Sequence, residues 1–202
     1  MARPKGTTKP EGLFLNSDQL KQLFNAIRRK KDLRSDLMFS LIFYFGLRVS
    51  ELCSLKLTDV VNYSSPQEMT VTIQGMKGGR KRTYENLEPR LAYKLRKWIL
   101  KEKDSDTPYL FSSRQYNGNP LSAQTIKILF KNYLKIAGLP HDYSVHLLRA
   151  SCAVHLVQSG ASVTEVMRWL RLRNIQNAQI YFDRIEYKCT ESKVKGLFGE
   201  YL

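Results

Sequence analysis

Apolar residues recur at helical spacing through most of this chain. Leu23, Phe24 and Ile27 fall on one face of a predicted helix over residues 18–30, which Ser17 is expected to cap. The next predicted helix is apolar on nearly every side, as is typical of a buried central helix. In all, the pattern predicts further helices over residues 34–46, 89–103, 123–138, 145–160, 161–170 and 174–182.

The pattern changes between residues 56 and 87, where β-branched residues alternate with polar ones. Three short segments, KLTDVVNY, MTVTIQ and RKRTYENL, are predicted to form antiparallel strands. The loop GMKGGRKR joins the last two, and Gly78 with Gly79 favours a tight tip. The expected fold class is therefore α+β, mainly α-helical, with a small three-stranded antiparallel sheet.

Length and composition set the domain organisation. The 202 residues, 43% of them hydrophobic, suffice for one well-buried core. We expect a basic lead-in over residues 1–14 and one domain over residues 15–202. The end of that domain, EYKCTESKVKGLFGEYL, is predicted to form a helical tail with Val194, Leu197 and Phe198 on one side.

Charge narrows the class of partner. Thirty-three Lys and Arg residues against 18 Asp and Glu give a formal net charge of +15, which favours binding to a polyanion such as nucleic acid. A basic protein without such a partner remains an alternative. The longest apolar run, LMFSLIFYFG, is too short to span a bilayer, and MARPKGTTKPEG is not a secretory signal. A cytoplasmic, DNA-associated protein is expected.

Cysteine and histidine spacing gives no sign of a metal site. The three cysteines are far apart and form no CxxC, and His141, His146 and His155 match no known zinc-ligand spacing. We therefore expect no metal and no cofactor, and reduced thiols.

The strongest chemical signal lies between His146 and Tyr181. His146 and Arg149 are three residues apart and share one helix face, so both can point into one pocket. A hydrogen-bonding imidazole beside a permanent planar cation suits a phosphate group. A tyrosine within reach of that phosphate can act as a covalent nucleophile, and Tyr181 follows in a helical setting.

Three motifs resemble the tyrosine recombinase, or phage integrase, family. They are GLRVSEL around Arg48, HLLR ending at Arg149, and GxxxxxVxxxLxxxxIxxxxIY ending at Tyr181, in the order that the family has. The resemblance implies the catalytic-domain fold of that family. In length the chain resembles the fimbrial phase-switch recombinases, which lack the family's N-terminal core-binding domain, so that domain is expected to be absent; a catalytic domain cut from a longer protein remains an alternative.

The resemblance also implies a role for each site residue. Arg48 and Arg149 would bind the non-bridging phosphate oxygens, and His146 would help to remove the tyrosine proton. Tyr181 would attack the phosphate to give a 3′-phosphotyrosine, and Lys77, on the β-hairpin, would protonate the leaving oxygen. Glu51 would orient Arg48, although a purely structural ion pair between the two remains an alternative.

What the family does is the expected function. The resemblance implies a site-specific recombinase that cuts and rejoins double-stranded DNA without metal or ATP, as a tetramer formed through the C-terminal tail. Two other assignments stay open within the site: Lys81 in place of Lys77, and Tyr187 in place of Tyr181. The tail is equally compatible with folding back onto its own domain.

One position departs from the family pattern. Leu172 stands nine residues before the tyrosine, where the family usually has histidine or tryptophan in the sequence LGH. Leucine donates no hydrogen bond, and a lost donor of this kind typically costs about 2.7–4 kcal/mol in the transition state. Two alternatives follow: a catalytically weakened DNA-binding relative, or a type IB topoisomerase-like relaxing enzyme.

Other basic residues are expected to contact DNA. Arg171 and Arg173 flank the leucine, and either is a candidate replacement for the missing donor. The remaining candidates lie on the β-hairpin or on the polar face of the helix over residues 123–138. They are Arg80, Lys81, Arg82, Lys127 and Lys131.

Overall fold

The computed structural model describes residues 14–75, 80–102, 107–113 and 118–183. Within them lie eight α-helices and three β-strands, so the mainly helical α+β prediction is confirmed. None of these helices is both long and apolar enough to cross a membrane. The helices are α1 Ser17–Arg29, α2 Leu33–Phe45, α3 Val49–Ser54, α4 Pro89–Lys97, α5 Ala123–Ala137, α6 His146–Gln158, α7 Val163–Trp169 and α8 Gln176–Phe182.

Helix α2 is the centre of the domain, as its all-round apolar sequence predicts. Leu37, Phe39, Leu41 and Phe45 are fully buried, and the helix packs against α1, α4 and α6. Because three helices cover it, no face of α2 needs polar residues. Asp36 is one of the few polar residues of α2. Its carboxylate lies 2.7 Å from the Lys94 ammonium, and this ion pair joins α2 to α4.

Helix starts are set by short polar side chains. The Asn16 side chain caps α1 and shares a reciprocal pair of bonds with Gln19, so the prediction that Ser17 is the cap is wrong by one residue. Ser122 and Ser162 cap α5 and α7 through their hydroxyl oxygens. Such a cap satisfies backbone N–H groups that have no partner inside the helix.

The sheet is small and antiparallel, with strand order β1-β2-β3. The strands are β1 Val60–Val61, β2 Thr70–Ile73 and β3 Arg82–Tyr84. Val71 and Ile73 of β2 face the core together with Tyr84 of β3, while Thr72 and Thr83 face outward with their hydroxyls 2.9 Å apart. The three predicted antiparallel strands are confirmed, and the alternation gives the sheet one buried face.

A second, smaller apolar cluster lies between α6, α7 and α8. It contains Leu170, Leu172, Ala178 and Tyr181. Since α8 is only seven residues long, packing on α6 and α7 must hold it in place. The cluster therefore fixes the tyrosine against the helix that carries His146 and Arg149.

The end of α2 approaches the second cluster closely at Gly46. This residue has φ +58, and a methyl group added there would lie 2.2 Å from a Leu170 methyl carbon. Gly138, which ends α5 with φ +68, has nothing within 4 Å of such a methyl. Both positions use the left-handed conformation that favours glycine.

This contrast predicts different costs for two alanine substitutions. Gly138→Ala should lose about 1 kcal/mol of unfolding free energy from backbone strain alone. Gly46→Ala adds a clash in a packed interior and should lose roughly 2–4 kcal/mol in total. Urea unfolding of both variants measures the two losses, and equal losses would contradict the close approach described here.

Candidate active site

The first arginine of the site begins helix α3, directly after the turn at Gly46. The Arg48 backbone N–H donates to Glu51 Oε2 at 2.9 Å, and its guanidinium Nη1 donates to Glu51 Oε1 at 2.8 Å. The Glu51 side chain is fully buried, whereas the Arg48 side chain keeps 37% of its area exposed. The predicted ion pair is present, and part of the Arg48 side chain remains accessible.

The second arginine, Arg149, is buried under the first turn of α6. Its guanidinium donates to the carbonyl oxygens of Gly46 and, at 2.7 Å, of Leu170. Nη1 also lies 3.7 Å from Glu51 Oε2. Desolvation by burial, followed by the positive charge of Arg48, lowers the Arg149 pKa to about 10. The side chain therefore stays cationic at neutral pH.

His146 lies one turn before Arg149, at the exposed start of α6. Partial desolvation of the ring, and then the charges of Arg149 and Arg48, lower the His146 pKa below its ordinary value of 6.5. The imidazole is therefore mainly neutral at pH 7. A neutral imidazole has one nitrogen available to accept a proton, as a general base must.

Tyr181 lies in α8 and is 9% exposed. Its ring packs in the second cluster with Leu172 and Ala178. The phenol is close enough to Arg149 that its negative form raises the Arg149 pKa. Thus the tyrosine and the buried arginine approach each other although they are 32 residues apart in sequence.

Five of the predicted residues therefore come together at one place: Arg48, Glu51, His146, Arg149 and Tyr181. Lys77 and Tyr187 lie outside the described residues, and so does the tail that follows Asp183. The assembled groups offer cationic and neutral hydrogen-bond donors, a proton acceptor and a phenol. This set suits an oxyanion next to an attacking hydroxyl.

Arg171 has a different place from the one predicted. The sequence suggested a DNA contact, but the side chain is fully buried and lies 2.8 Å from Glu51 Oε2. Its Nη1 also donates to the Phe45 carbonyl oxygen at 3.1 Å and to the Tyr84 hydroxyl. An interior guanidinium with these bonds cannot lie along a DNA backbone. The DNA-contact assignment for Arg171 is therefore corrected.

Arg82 is also less exposed than the sequence suggested. Its guanidinium carbon lies 5.0 Å from the centre of the Tyr84 ring and 5.2 Å from that of Trp169. Such cation–π contacts favour an arginine held against the protein surface. Arg82 joins strand β3 to the end of α7.

The other basic candidates have exposed side chains. Arg80 and Lys81 precede β3, Lys127 and Lys131 lie on α5, and Arg173 precedes α8. The Lys131 ammonium donates to the His141 carbonyl oxygen. Exposure leaves these residues accessible, and their contact with DNA stays a prediction.

The sequence missed the interior network around Glu51. The sequence marks Arg171 only as a basic residue, and it predicts Tyr84 and Trp169 only as parts of a strand and a helix. Trp169 accepts bonds through its backbone oxygen, which no sequence pattern marks. The sequence also does not predict the positive φ of 56° at Arg171. One signal was present: the family's LGH has glycine where this chain has Arg171.

Two of the three cysteines lie in the part of the chain that the structure describes. Cys53 is half-buried and Cys152 is buried, and neither forms a disulfide. Burial raises the pKa of Cys53 to about 11 and that of Cys152 to about 12, so both stay protonated. Within the described ranges, no three His, Cys, Asp or Glu side chains are grouped closely enough to hold a metal ion.

Comparison with known proteins gives the family. The pattern of the phage integrase family matches residues 13–186. This chain belongs to the phage integrase family. It is 33% identical over 168 residues to tyrosine recombinase XerA of Pyrococcus furiosus, and the match covers 83% of this chain and 56% of that protein. The chain thus spans little more than half the length of this relative.

Solved integrase structures share the fold. The transposon Tn1549 integrase in complex with a circular intermediate DNA aligns with a TM-score of 0.75 and 18% identity, covering 95% of this chain and 68% of that one. A lambda integrase tetramer bound to a Holliday junction aligns with a TM-score of 0.64 and 18% identity, covering 89% of this chain and 50% of that one. The predicted fold is thereby confirmed.

Proposed function

We propose that this integrase is a site-specific DNA recombinase that cuts and rejoins strands through a 3′-phosphotyrosine at Tyr181. One observation carries the proposal: Arg48, His146 and Tyr181 all lie close enough to Arg149 to interact with it electrostatically, although the four span residues 48–181. The membership of the family and the net charge of +15 support DNA as the substrate.

The chemistry follows from the roles of the groups. Attack by the Tyr181 oxygen on the scissile phosphorus forms one P–O bond and breaks the bond to the 5′ oxygen. Arg48 and Arg149 stabilise the charge that develops on the two non-bridging oxygens, which is the usual role of preorganised cations in phosphate chemistry. Neutral His146 accepts the phenolic proton. The phosphotyrosine conserves the bond energy, so rejoining needs neither metal nor ATP.

Lys77 supplies the proton that the leaving 5′ oxygen takes up. A DNA substrate with a bridging 5′ sulfur separates Lys77 from Lys81, because a thiolate, unlike an alkoxide, leaves without a proton. Lys77→Ala should lose cleavage of normal DNA by at least about 10²-fold and regain near wild-type cleavage of the sulfur substrate. Lys81→Ala loses only a proposed backbone contact, so it should reduce the cleavage of both substrates by the same small factor. The reverse pattern would assign the role to Lys81.

Assembly on DNA is part of the same proposal. Recombination joins two duplexes, so four copies of this integrase would act together inside the cell, linked through the tail that follows Asp183. The lambda integrase tetramer on a Holliday junction supports this arrangement. Exposed Arg80, Lys81, Arg173 and the α5 lysines would hold the phosphate backbone.

A supercoiled plasmid with two directly repeated sites from the region beside the gene tests the function. We expect two smaller circles to form in buffer that contains EDTA and no nucleotide. Relaxation without exchange would favour the topoisomerase-like alternative. If the protein shifts DNA in a gel at low salt but carries out neither reaction, the result would favour a DNA-binding relative. That is the alternative suggested by Leu172.

A further inference from the structure

Arg171 combines two features that are costly separately. Its backbone has φ 56, in the left-handed region where a residue with a Cβ is strained. Its side chain is charged and has no exposed area. A buried charge persists only when partners compensate it. The contacts that hold this arginine therefore carry information about its role.

The groups that contact the Arg171 guanidinium lie on several different elements of the fold. Nη2 donates to Glu51 Oε2 at 2.8 Å and to the Gly46 carbonyl oxygen at 3.2 Å. Nη1 donates to the Phe45 and Trp169 carbonyl oxygens at 3.1 and 3.0 Å. It also donates to the Tyr84 hydroxyl. One guanidinium thus connects the end of α2, the start of α3, strand β3 and the end of α7.

Arg171 shares its two main acceptors with Arg149. The Gly46 carbonyl oxygen accepts a bond from each arginine, and Glu51 Oε2 lies 3.7 Å from Arg149 Nη1. The other oxygen of Glu51 holds Arg48. Arg171 therefore fixes the groups that orient both proposed phosphate-binding arginines.

The local charge balance adds a second effect. Three guanidiniums, of Arg48, Arg149 and Arg171, surround one carboxylate, Glu51. The excess of positive charge is unfavourable while the site holds no anion, and a bound phosphate relieves it. Removing Arg171 should weaken the attraction for a phosphate without removing any group that touches it.

We propose that Arg171 is a positioning residue which compensates for Leu172: it orients Arg48 and Arg149 through Glu51 and Gly46 and adds positive potential behind the phosphate. This inference rests on the proposed function. It replaces the DNA contact that the sequence suggested for Arg171 with an indirect role. The hydrogen-bond donor missing at position 172 is offset by the positive charge at position 171.

The main test compares Arg171→Met, Arg171→Lys and the control Arg173→Met. Single-turnover cleavage of a nicked suicide duplex and DNA affinity are measured separately, at a temperature where every variant is folded. Arg171→Met should cleave bound DNA on the order of 10- to 100-fold more slowly, which is the range found when residues that orient metal-binding side chains are removed. Its affinity for DNA should be nearly unchanged. Arg173→Met should instead weaken binding and reduce its salt dependence.

A second readout needs no cleavage. Inorganic phosphate should raise the wild-type melting temperature, because a ligand of the folded state stabilises it. The rise should shrink in Arg171→Met and persist in Arg171→Lys, which keeps the charge. Arg171→Lys should regain only part of the cleavage rate, because an ammonium cannot reach Glu51 and the carbonyls together. If Arg171→Met does not fold, Arg171→Lys alone carries both measurements.

The outcomes separate the possible roles. A purely structural arginine would lower the melting temperature and leave the phosphate response and the cleavage of bound DNA unchanged, which would overturn the proposal. Loss of affinity and of salt dependence in Arg171→Met would restore the DNA contact and overturn it too. A wild type that forms no adduct contradicts the proposed function, while its phosphate response still decides whether Arg171 acts on the anion site.

Discussion

Tyr181→Phe is expected to abolish the covalent protein–DNA adduct that wild-type integrase forms on a nicked suicide duplex. The ring still fills its place beside Leu172 and Ala178, so the fold and DNA binding persist. Only the oxygen that forms the bond to phosphorus is lost. Removal of a covalent nucleophile has reduced catalysis by about 10⁶-fold in a serine protease, so no adduct should be visible on a denaturing gel.

The design separates the two tyrosines that the sequence offers. The duplex carries a site from beside the gene and a nick close to the cleavage point, so the short 5′-hydroxyl strand diffuses away and the adduct accumulates. Tyr187→Phe is the matched control and should form the adduct at the wild-type rate. An adduct in Tyr181→Phe but not in Tyr187→Phe would transfer the role to Tyr187. No adduct in any variant, with DNA still bound, would favour the DNA-binding relative.

Glu51→Ala is expected to be the most destabilising of the site substitutions. The carboxylate is fully buried and is the shared counter-charge of Arg48, Arg149 and Arg171. Without it, buried guanidiniums remain uncompensated, which typically costs about 3–5 kcal/mol. For a domain of this size that loss lowers the melting temperature by roughly 6–20 °C. Thermal and urea unfolding of the variant and the wild type measure it.

The same carboxylate gives a signed pH dependence. Burial alone raises the Glu51 pKa, but the charge of Arg171, the Arg48 N–H bond and the charge of Arg149 outweigh burial and leave it below the ordinary value of 4.5. The ionised form is therefore favoured by folding. Its contribution to stability is complete well above pH 4.5 and is lost as the pH falls through the lowered pKa.

A matched exposed carboxylate provides the control. Glu165 is a surface residue whose side chain accepts a hydrogen bond from the Ser162 backbone N–H at the start of α7. Glutamine can accept the same bond, so Glu165→Gln should change the stability little. The stability gap between wild type and Glu51→Gln should narrow as the pH is lowered below 4.5. An equal gap at pH 7 and pH 3, or a Glu51→Ala variant as stable as Glu165→Gln, would contradict the shared counter-charge.

Much of the secondary structure could be predicted from local sequence. Each helix has an apolar face or an all-round apolar run, and glycines mark the ends of α2 and α5, because periodicity and capping depend on neighbouring residues. The hairpin strands were predicted for the same reason. The site order Arg48, His146, Arg149 and Tyr181 was also readable, because spaced motifs preserve chemistry that the fold assembles.

The sequence by itself determined the elements, their order and the identity of the groups that meet at the site. The tertiary structure alone decided which arginines face outward. Arg171 and Arg173 are both basic and two residues apart, yet one is fully buried and the other exposed. The difference arises because the carbonyls of Phe45 and Gly46 and the Glu51 carboxylate, 120 or more residues away, accept the bonds of Arg171. No local pattern contains acceptors that only folding brings near.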